Sequence, residues 1–389
     1  MSDTQKHTKP NVPNLRFPGF EGEWENWRLC DIAEYRKERT ATSQLTVESY
    51  ISTENMLSDY QRVIPALSIP AGGNVSAFYP GDVLLSNIRP YLKKVWQANV
   101  IGGCSTDVMV IKAKKYVLDK FLYYIIANDT FINYAMAGAK GVKMPRGDKE
   151  QLMKYELAIP GIDEQYIIAS LLTLIDQRIA IQNKVIEDLK KLKTAIEERI
   201  IKLVQGKQIS LGDILEERNE KSTENNQFEV LSSTVTGIFN QREYFNKDIA
   251  SANNSGYKIV RRGDIVLSPQ NLWMGNINYN DCFEIGIVSP SYKVFSIRKA
   301  FDERYVSFLL KTKKALWEYS LVSEQGASIV RRNLNLESFL EISFPIPSYI
   351  KQKEIGDMIS AVNSKLLLEQ KLLNSLSRQK SYLLNSMFI

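Results

Sequence analysis

Two stretches of the chain repeat one spacing of apolar and polar positions. After Pro160 and Gly161 the sequence reads as a single long helix, about Asp163 to Val204. Apolar residues recur in a 4,3 register at Ile168, Leu172, Ile175, Ile179, Ile186, Leu189, Ile196, Ile200 and Leu203, with polar breaks at Gln182 and Lys193. A shift of 187 residues gives the second stretch, Ile355, Ile359, Val362, Leu366, Leu373, Leu376, Leu383 and Met387, broken at Glu369 and Lys380. The breaks coincide. This register predicts a coiled-coil seam, in which polar residues cost stability but set register and partner. At 1.5 Å per residue each helix would span roughly 60 Å. A single apolar stripe needs a partner, so the two helices are expected to pack as an antiparallel coiled coil with a globular segment at each end.

The remaining sequence falls into two such segments, and they too repeat. Pro80-Gly-Asp-Val-Leu-Leu-Ser86 matches Arg262-Gly-Asp-Ile-Val-Leu-Ser268. Asp119 to Ile126 matches Glu303 to Leu310, Gly138-Ala matches Gly326-Ala, and Ile159-Pro160 matches Ile346-Pro347. Runs following the Gly-Asp turns read as buried strands, and Phe121–Ala127 and Tyr305–Lys311 read as short helices. The fold class is therefore α/β, in the sense of mixed α+β, as a tandem pseudo-repeat. The expected organisation is a disordered leader (1–13), a first globule (14–160), a central long helix and linker (161–206), a second globule (207–347) and a C-terminal long helix (348–389). Asn87–Gly103 resembles nothing in Pro269–Gly286, so the scaffold repeats while some loops do not.

Composition removes several chemistries. Of 389 residues one is histidine, His7 in the leader, so a His-based triad, a His general base and a His-ligated metal all lack their central residue. Cys30, Cys104 and Cys282 form no CxxC pair and no disulfide framework; reduced thiols in a cytoplasmic protein are expected. There is no membrane-length apolar run and no signal-peptide pattern. No phosphate-cradling GxxxxGK[ST] or GxGxxG occurs, and Gly72-Gly73 and Gly102-Gly103 read as loops. Asp82 and Asp264 occupy equivalent places in the Gly-Asp turns, where an Asp is expected to cap the turn rather than to catalyse. The net charge is +6, but both globules are close to neutral, so any anionic ligand must be met by charges sorted onto one side.

Basic and amide clusters carry the remaining signal. In the first globule they are Arg89, Lys93 and Lys94, then Lys140, Lys143 and Arg146 around the Gly138 loop. In the second they are Arg261 and Arg262, Gln270 and Asn271, and Arg331 and Arg332 beyond the Gly326 loop. These residue types neutralise phosphates and make bidentate contacts to guanine and adenine edges.

Taken together these residues resemble the specificity subunits of type I restriction-modification enzymes. The similarity starts at Pro13-Asn-Leu-Arg-Phe-Pro-Gly-Phe-Glu-Gly-Glu-Trp24 and Trp27-Arg-Leu-Cys-Asp-Ile-Ala33, is restated at Ile209-Ser-Leu-Gly-Asp-Ile-Leu215, and continues through the Gly-Asp turns, the Gly-Ala loops and the Ile-Pro…Gln-x-x-Ile helix starts. No one motif is specific; the duplicated set is. The resemblance implies a non-catalytic DNA reader in the bacterial cytoplasm. Two target-recognition domains would each read half of an asymmetric, bipartite double-stranded site, spaced by the coiled coil. It implies two modification subunits carrying S-adenosylmethionine, and two restriction subunits carrying ATP and Mg²⁺, with no cofactor, metal or catalytic residue on this chain and no membrane. Two other readings are a coiled-coil adaptor without a DNA role and a self-contained nuclease or methyltransferase. The second needs a cofactor or metal constellation that the sequence does not show.

Overall fold

The computed structural model describes residues 11–141, 143–245, 253–325 and 332–389. The chain divides into two compact units, Met1–Asn183 with Leu372–Ile389, and Lys184–Lys371. Each unit therefore contains one globule, the start of one long helix and the end of the other.

In the first unit an inner four-stranded antiparallel sheet has the order Ala33–Tyr35, Val108–Ala113, Val83–Ser86, Val95–Gln97. Its central strands are apolar at successive positions because both faces are covered. Val83, Leu85, Met109 and Ile111 pack with Phe121, Leu122 and Ile125 of the helix Asp119–Ile126. The alternate residues Leu84, Val108 and Val110 pack with Ile51, Phe78 and Cys104 of an outer sheet. That sheet has the order Arg39–Ala41, Asn74–Phe78, Gly102–Cys104, Tyr50–Ile51, its last pair parallel. Burial pushes the Cys104 thiol up to about 12, which fits an inert core residue. Gly102-Gly103 is thus a buried strand rather than the expected loop. A Cβ on Gly102 would lie 2.2 Å from the Ser49 carbonyl oxygen, and one on Gly103 2.7 Å from Val75, so only glycine lets these strands approach. Of the leader, residues 1–10 lie outside the described residues. Pro13 is buried and the Asn11 carbonyl accepts the Trp24 amide at 2.8 Å, so the disorder expected through residue 13 does not extend to it.

The second unit repeats the inner sheet in the same order: Leu215–Arg218, Lys293–Ile297, Ile265–Leu267, Ile277–Tyr279. Its two faces divide alike, Ile265, Leu267 and Phe295 toward Tyr305 and Val306, and Val266 and Val294 toward Leu231, Val260 and Val288. In both globules a short antiparallel strand pair closes the segment, Glu25–Arg28 with Glu156–Ile159 and Lys207–Ser210 with Ser343–Ile346.

The Gly-Asp turns are the most faithful part of the repeat. Gly81 and Gly263 take φ of +97° and +92°, the left-handed region that glycine tolerates. The following Asp caps the turn as expected: Asp82 accepts the Tyr79 amide at 2.8 Å and Asp264 the Arg261 amide at 2.7 Å. Each also meets an arginine that itself pairs with a glutamate, Arg36 with Glu38 and Arg218 with Glu220. The Asp82 pair is bidentate, at 2.5 and 2.6 Å, and holds the Arg36 guanidinium above its ordinary pKa. Burial raises the Asp264 carboxyl against the pull of Arg261 and Arg218.

The long helices are Ile162–Leu203 and Tyr349–Met387. In the first unit Ile168, Leu172 and Ile175 share a core with Leu383, Leu384 and Met387. In the second, Ile355 and Ile359 share one with Ile196, Ile200 and Ile201. Within each unit the start of one helix packs against the end of the other in the antiparallel sense. Apolar seam positions from Ile168 to Ile200 and from Ile355 to Met387 are buried or half-buried, and Leu203 is exposed. Of the polar breaks, Lys380 pairs across the seam with Asp176 at 2.6 Å, and Asp176 also accepts the Tyr124 hydroxyl at 2.9 Å. A double-mutant cycle of Asp176→Asn and Lys380→Ala is expected to give a coupling of about 1 kcal/mol in urea unfolding. Additive effects would mean that the pair contributes nothing to the register.

Candidate nucleic-acid interface

In the first globule the loop leaving the end of the central strand meets the Gly-Ala loop, and in the second the equivalent loop meets the strand Arg332–Leu334. In the first, Ile88 pairs with Arg146, and the Arg89 amide donates to the Pro145 carbonyl at 2.8 Å. Arg146 and Lys140 exchange two backbone hydrogen bonds of 2.9 Å. In the second, the Arg332 amide donates to the Gln270 carbonyl at 3.1 Å. Its guanidinium carbon lies 4.3 Å from the centroid of the Trp273 ring, within cation–π range. The equivalence is positional, since beyond the Gly-Ala pair the contacting residues differ.

The junction has strained backbone and, among the described residues, unpartnered polar atoms. Arg89 and Lys93 hold left-handed backbone, with φ of +50° and +53°, around the turn Pro90–Leu92. The Nε atoms of Arg89 and Arg332 are buried without a hydrogen-bond partner among the described residues. Lys143, Tyr91 and Gln270 are exposed and Asn271 is half-buried.

Three of the junction cations are held by carboxylates, two of them distant in sequence. Lys93 pairs with Asp129 at 2.9 Å, Lys140 with Asp148 at 2.7 Å and Arg146 with Asp107 at 3.2 Å. The hydrogen bond with Asp148 raises Lys140 and lowers Asp148. Burial pushes the Asp129 carboxyl up, but hydrogen bonds from Lys93 and Tyr60 outweigh it and the net shift is downward. Exposed pairs of this kind are worth about 0–1 kcal/mol, so the carboxylates hold these cations only weakly.

Other sequence candidates belong elsewhere. The Lys94 ammonium donates to the Thr53 carbonyl at 2.6 Å and ties the inner sheet to the outer one. Asn276 makes the corresponding tie in the second globule, to the Ser233 carbonyl at 2.9 Å. Arg261 pairs with Glu220 at 2.6 Å and Arg262 with Glu284 at 3.2 Å, at the Gly-Asp end of the strand Ile265–Leu267. Gln270, Asn271 and Arg332 lie at its other end, so the structure does not unite the two clusters. Arg331 lies outside the described residues.

This arrangement, a duplicated scaffold with unlike loops at one place, belongs to a known class. The model of the type I restriction modification DNA specificity domain matches the chain twice, over residues 21–191 and 206–378. The chain belongs to this family and carries two copies of its domain. The EcoDI specificity subunit of Escherichia coli, a curated relative, is 25% identical over 173 residues, which cover 42% of this chain and 37% of that protein. The match thus spans little more than a third of the relative's length. Among solved structures, the S subunit of a type I restriction-modification system from M. genitalium aligns with a TM-score of 0.64 at 16% identity, over 97% of this chain and 99% of that one. A chain from a structure addressing complex assembly and conformational transition of the type I system aligns at 0.52 and 15% identity, over 95% and 98%. These structural likenesses establish a shared fold.

Proposed function

We propose that this chain is the DNA-reading subunit of a type I restriction-modification complex. Each domain, taken as residues 14–160 and 207–347, binds one half of an asymmetric bipartite duplex site. The observation that carries this reading is the positional equivalence of two junctions, Arg89–Arg146 and Gln270–Arg332, whose residues differ. Equivalent scaffolds place two readers in the same local frame; unlike side chains give them different half-sites. Arg89, Lys93, Lys140, Lys143 and Arg146 serve the first half-site, and Gln270, Asn271, Arg331 and Arg332 the second.

The antiparallel helices set the spacer between half-sites and carry two modification subunits, to which two restriction subunits add. S-adenosylmethionine, ATP and Mg²⁺ act on those partners, and the assembly works in the bacterial cytoplasm. Near-neutral domains bind DNA weakly alone, so tight binding requires the partners to close around the duplex.

The test is single-molecule methylation profiling of DNA treated with the chain plus its modification subunit. Adenine methylation at one bipartite, non-palindromic sequence is expected, and none with either component alone. Methylation by this chain alone, or an undivided site, overturns the reading.

A further inference from the structure

We infer that each domain makes a second, apolar contact with its half-site, through the segment inserted between two equivalent strands of the outer layer. This rests on the DNA-reading role proposed above. In the first domain residues 52–73 join Tyr50–Ile51 to Asn74–Phe78, which flank the strand Gly102–Cys104. In the second, the contact is drawn from residues 234–245, which follow Leu231–Ser233; that strand and Lys258–Arg261 flank Ile285–Val288 through a parallel bridge at Val230 and an antiparallel pair, and residues 246–252 lie outside the described residues.

The insertions share no sequence, yet each is anchored to the loop that follows the central strand. In the first, the Asp59 and Tyr60 amides donate to the Leu92 and Lys93 carbonyls at 3.0 and 2.9 Å. Both residues take φ of +57°, a left-handed conformation that is costly for side chains of this size. The Tyr60 hydroxyl, donating to Asp129 at 2.7 Å, holds them there. In the second, one ammonium makes the anchor: Lys311 donates to the Val235 and Gly275 carbonyls at 3.1 and 2.9 Å.

Beyond these anchors both insertions turn apolar side chains outward. Leu67 is 98% exposed, beside the exposed Ile64. In the other domain Tyr244 and Phe245 are exposed and form a ring cluster with Phe239, at centroid distances of 4.9 and 4.8 Å. Single exposed apolar residues are ordinary. The same anchoring to the loop after the central strand in both domains, with the chemistry changed from aliphatic to aromatic, points to a contact made at an equivalent place in each domain. Nucleic acid fits both versions: aliphatic side chains wedge into a base step or meet a thymine methyl, and aromatic rings stack on bases.

The test uses the full chain assembled with its modification subunit, and two double variants, Ile64→Ser with Leu67→Ser and Tyr244→Ser with Phe245→Ser. Each is expected to weaken binding of the cognate duplex about tenfold, with the salt slope unchanged because no phosphate contact is lost. A 2-aminopurine reporter should lose its response in one half-site only, a different one for each variant. Unchanged affinity with unchanged melting temperature overturns the inference. So does a loss of assembly with the modification subunit while assembled complexes keep full affinity, which would mark a protein contact. If the wild-type complex selects no duplex, the DNA-reading role itself fails, and that is visible before any variant is made.

Discussion

Asp82→Ala is expected to destabilise the first domain by about 3 kcal/mol, and Asp264→Ala the second by about half as much. The two carboxylates are equivalent in sequence, but their surroundings differ. Asp82 makes two short contacts with Arg36, whose side chain is 13% exposed, whereas Asp264 makes one of 3.1 Å with Arg218, which is 31% exposed. Removing one partner of a buried pair leaves the other charge unmatched in a poor solvent, typically about 3–5 kcal/mol; exposure lowers the cost by letting water return. Each substitution also deletes the acceptor of a turn amide, Tyr79 or Arg261. Urea unfolding, followed by hydrogen exchange at Val83–Ser86 and Ile265–Leu267, reads the two domains separately. Equal losses would show that exposure of the arginine does not set the cost.

Inserting four residues after Lys190 is expected to abolish methylation of the native site, or to move it to a site with a different spacer. Four residues add about 6 Å and turn the helix about 40° beyond one full turn. Ile196 and Ile200 would leave their packing against Ile355 and Ile359, because Tyr349–Met387 gains no compensating length. A matched insertion after Lys365 in the second helix, opposite Lys190 in the register that Asp176 and Lys380 set, is expected to restore assembly in part. Methylation profiling of both variants checks this, and an unchanged spacer with full activity would remove the ruler role.

The helices and the duplication were legible because their signals are periodic. A 4,3 register survives substitution among Ile, Leu and Val, and Gln182, Lys193, Glu369 and Lys380 marked the alignment of the two copies. The inner-sheet strands were legible from Val83-Leu-Leu and Ile265-Val-Leu. The outer sheet was not, since its key strand contains Gly102-Gly103, residues that usually end strands. The arginine–aspartate–glutamate constellation was present in plain sight: Arg36, Glu38 and Asp82 recur at Arg218, Glu220 and Asp264 with one common shift of 182. It went unread because an Arg far from a Gly-Asp turn gives no local sign of pairing with it.

The interface was legible as clusters but not as a surface. Lys140 and Arg146 are close in sequence and do meet, whereas the union of Arg89 with Arg146 depends on a strand ladder. The carboxylates that neutralise the cations, Asp107 and Asp129 above all, come from other elements. Lys94 looked like its neighbour Lys93, and only the sheet packing separates a structural tie from an exposed cation.

The short strand pairs that close each globule have a consequence for how such chains diversify. Glu25–Arg28 lies against Glu156–Ile159, and Lys207–Ser210 against Ser343–Ile346, each just before a long helix begins or after one ends. The two ends of everything variable therefore meet at a fixed spacing beside the helices. Each globule also shares its core with the helices, Phe121 with Ile168 and Leu172 in one and Tyr305 with Ile355 and Ile359 in the other, so a foreign segment is seated when it supplies both that ladder and that apolar face. A crossover within these few residues would exchange the whole segment between them while leaving the helical register untouched.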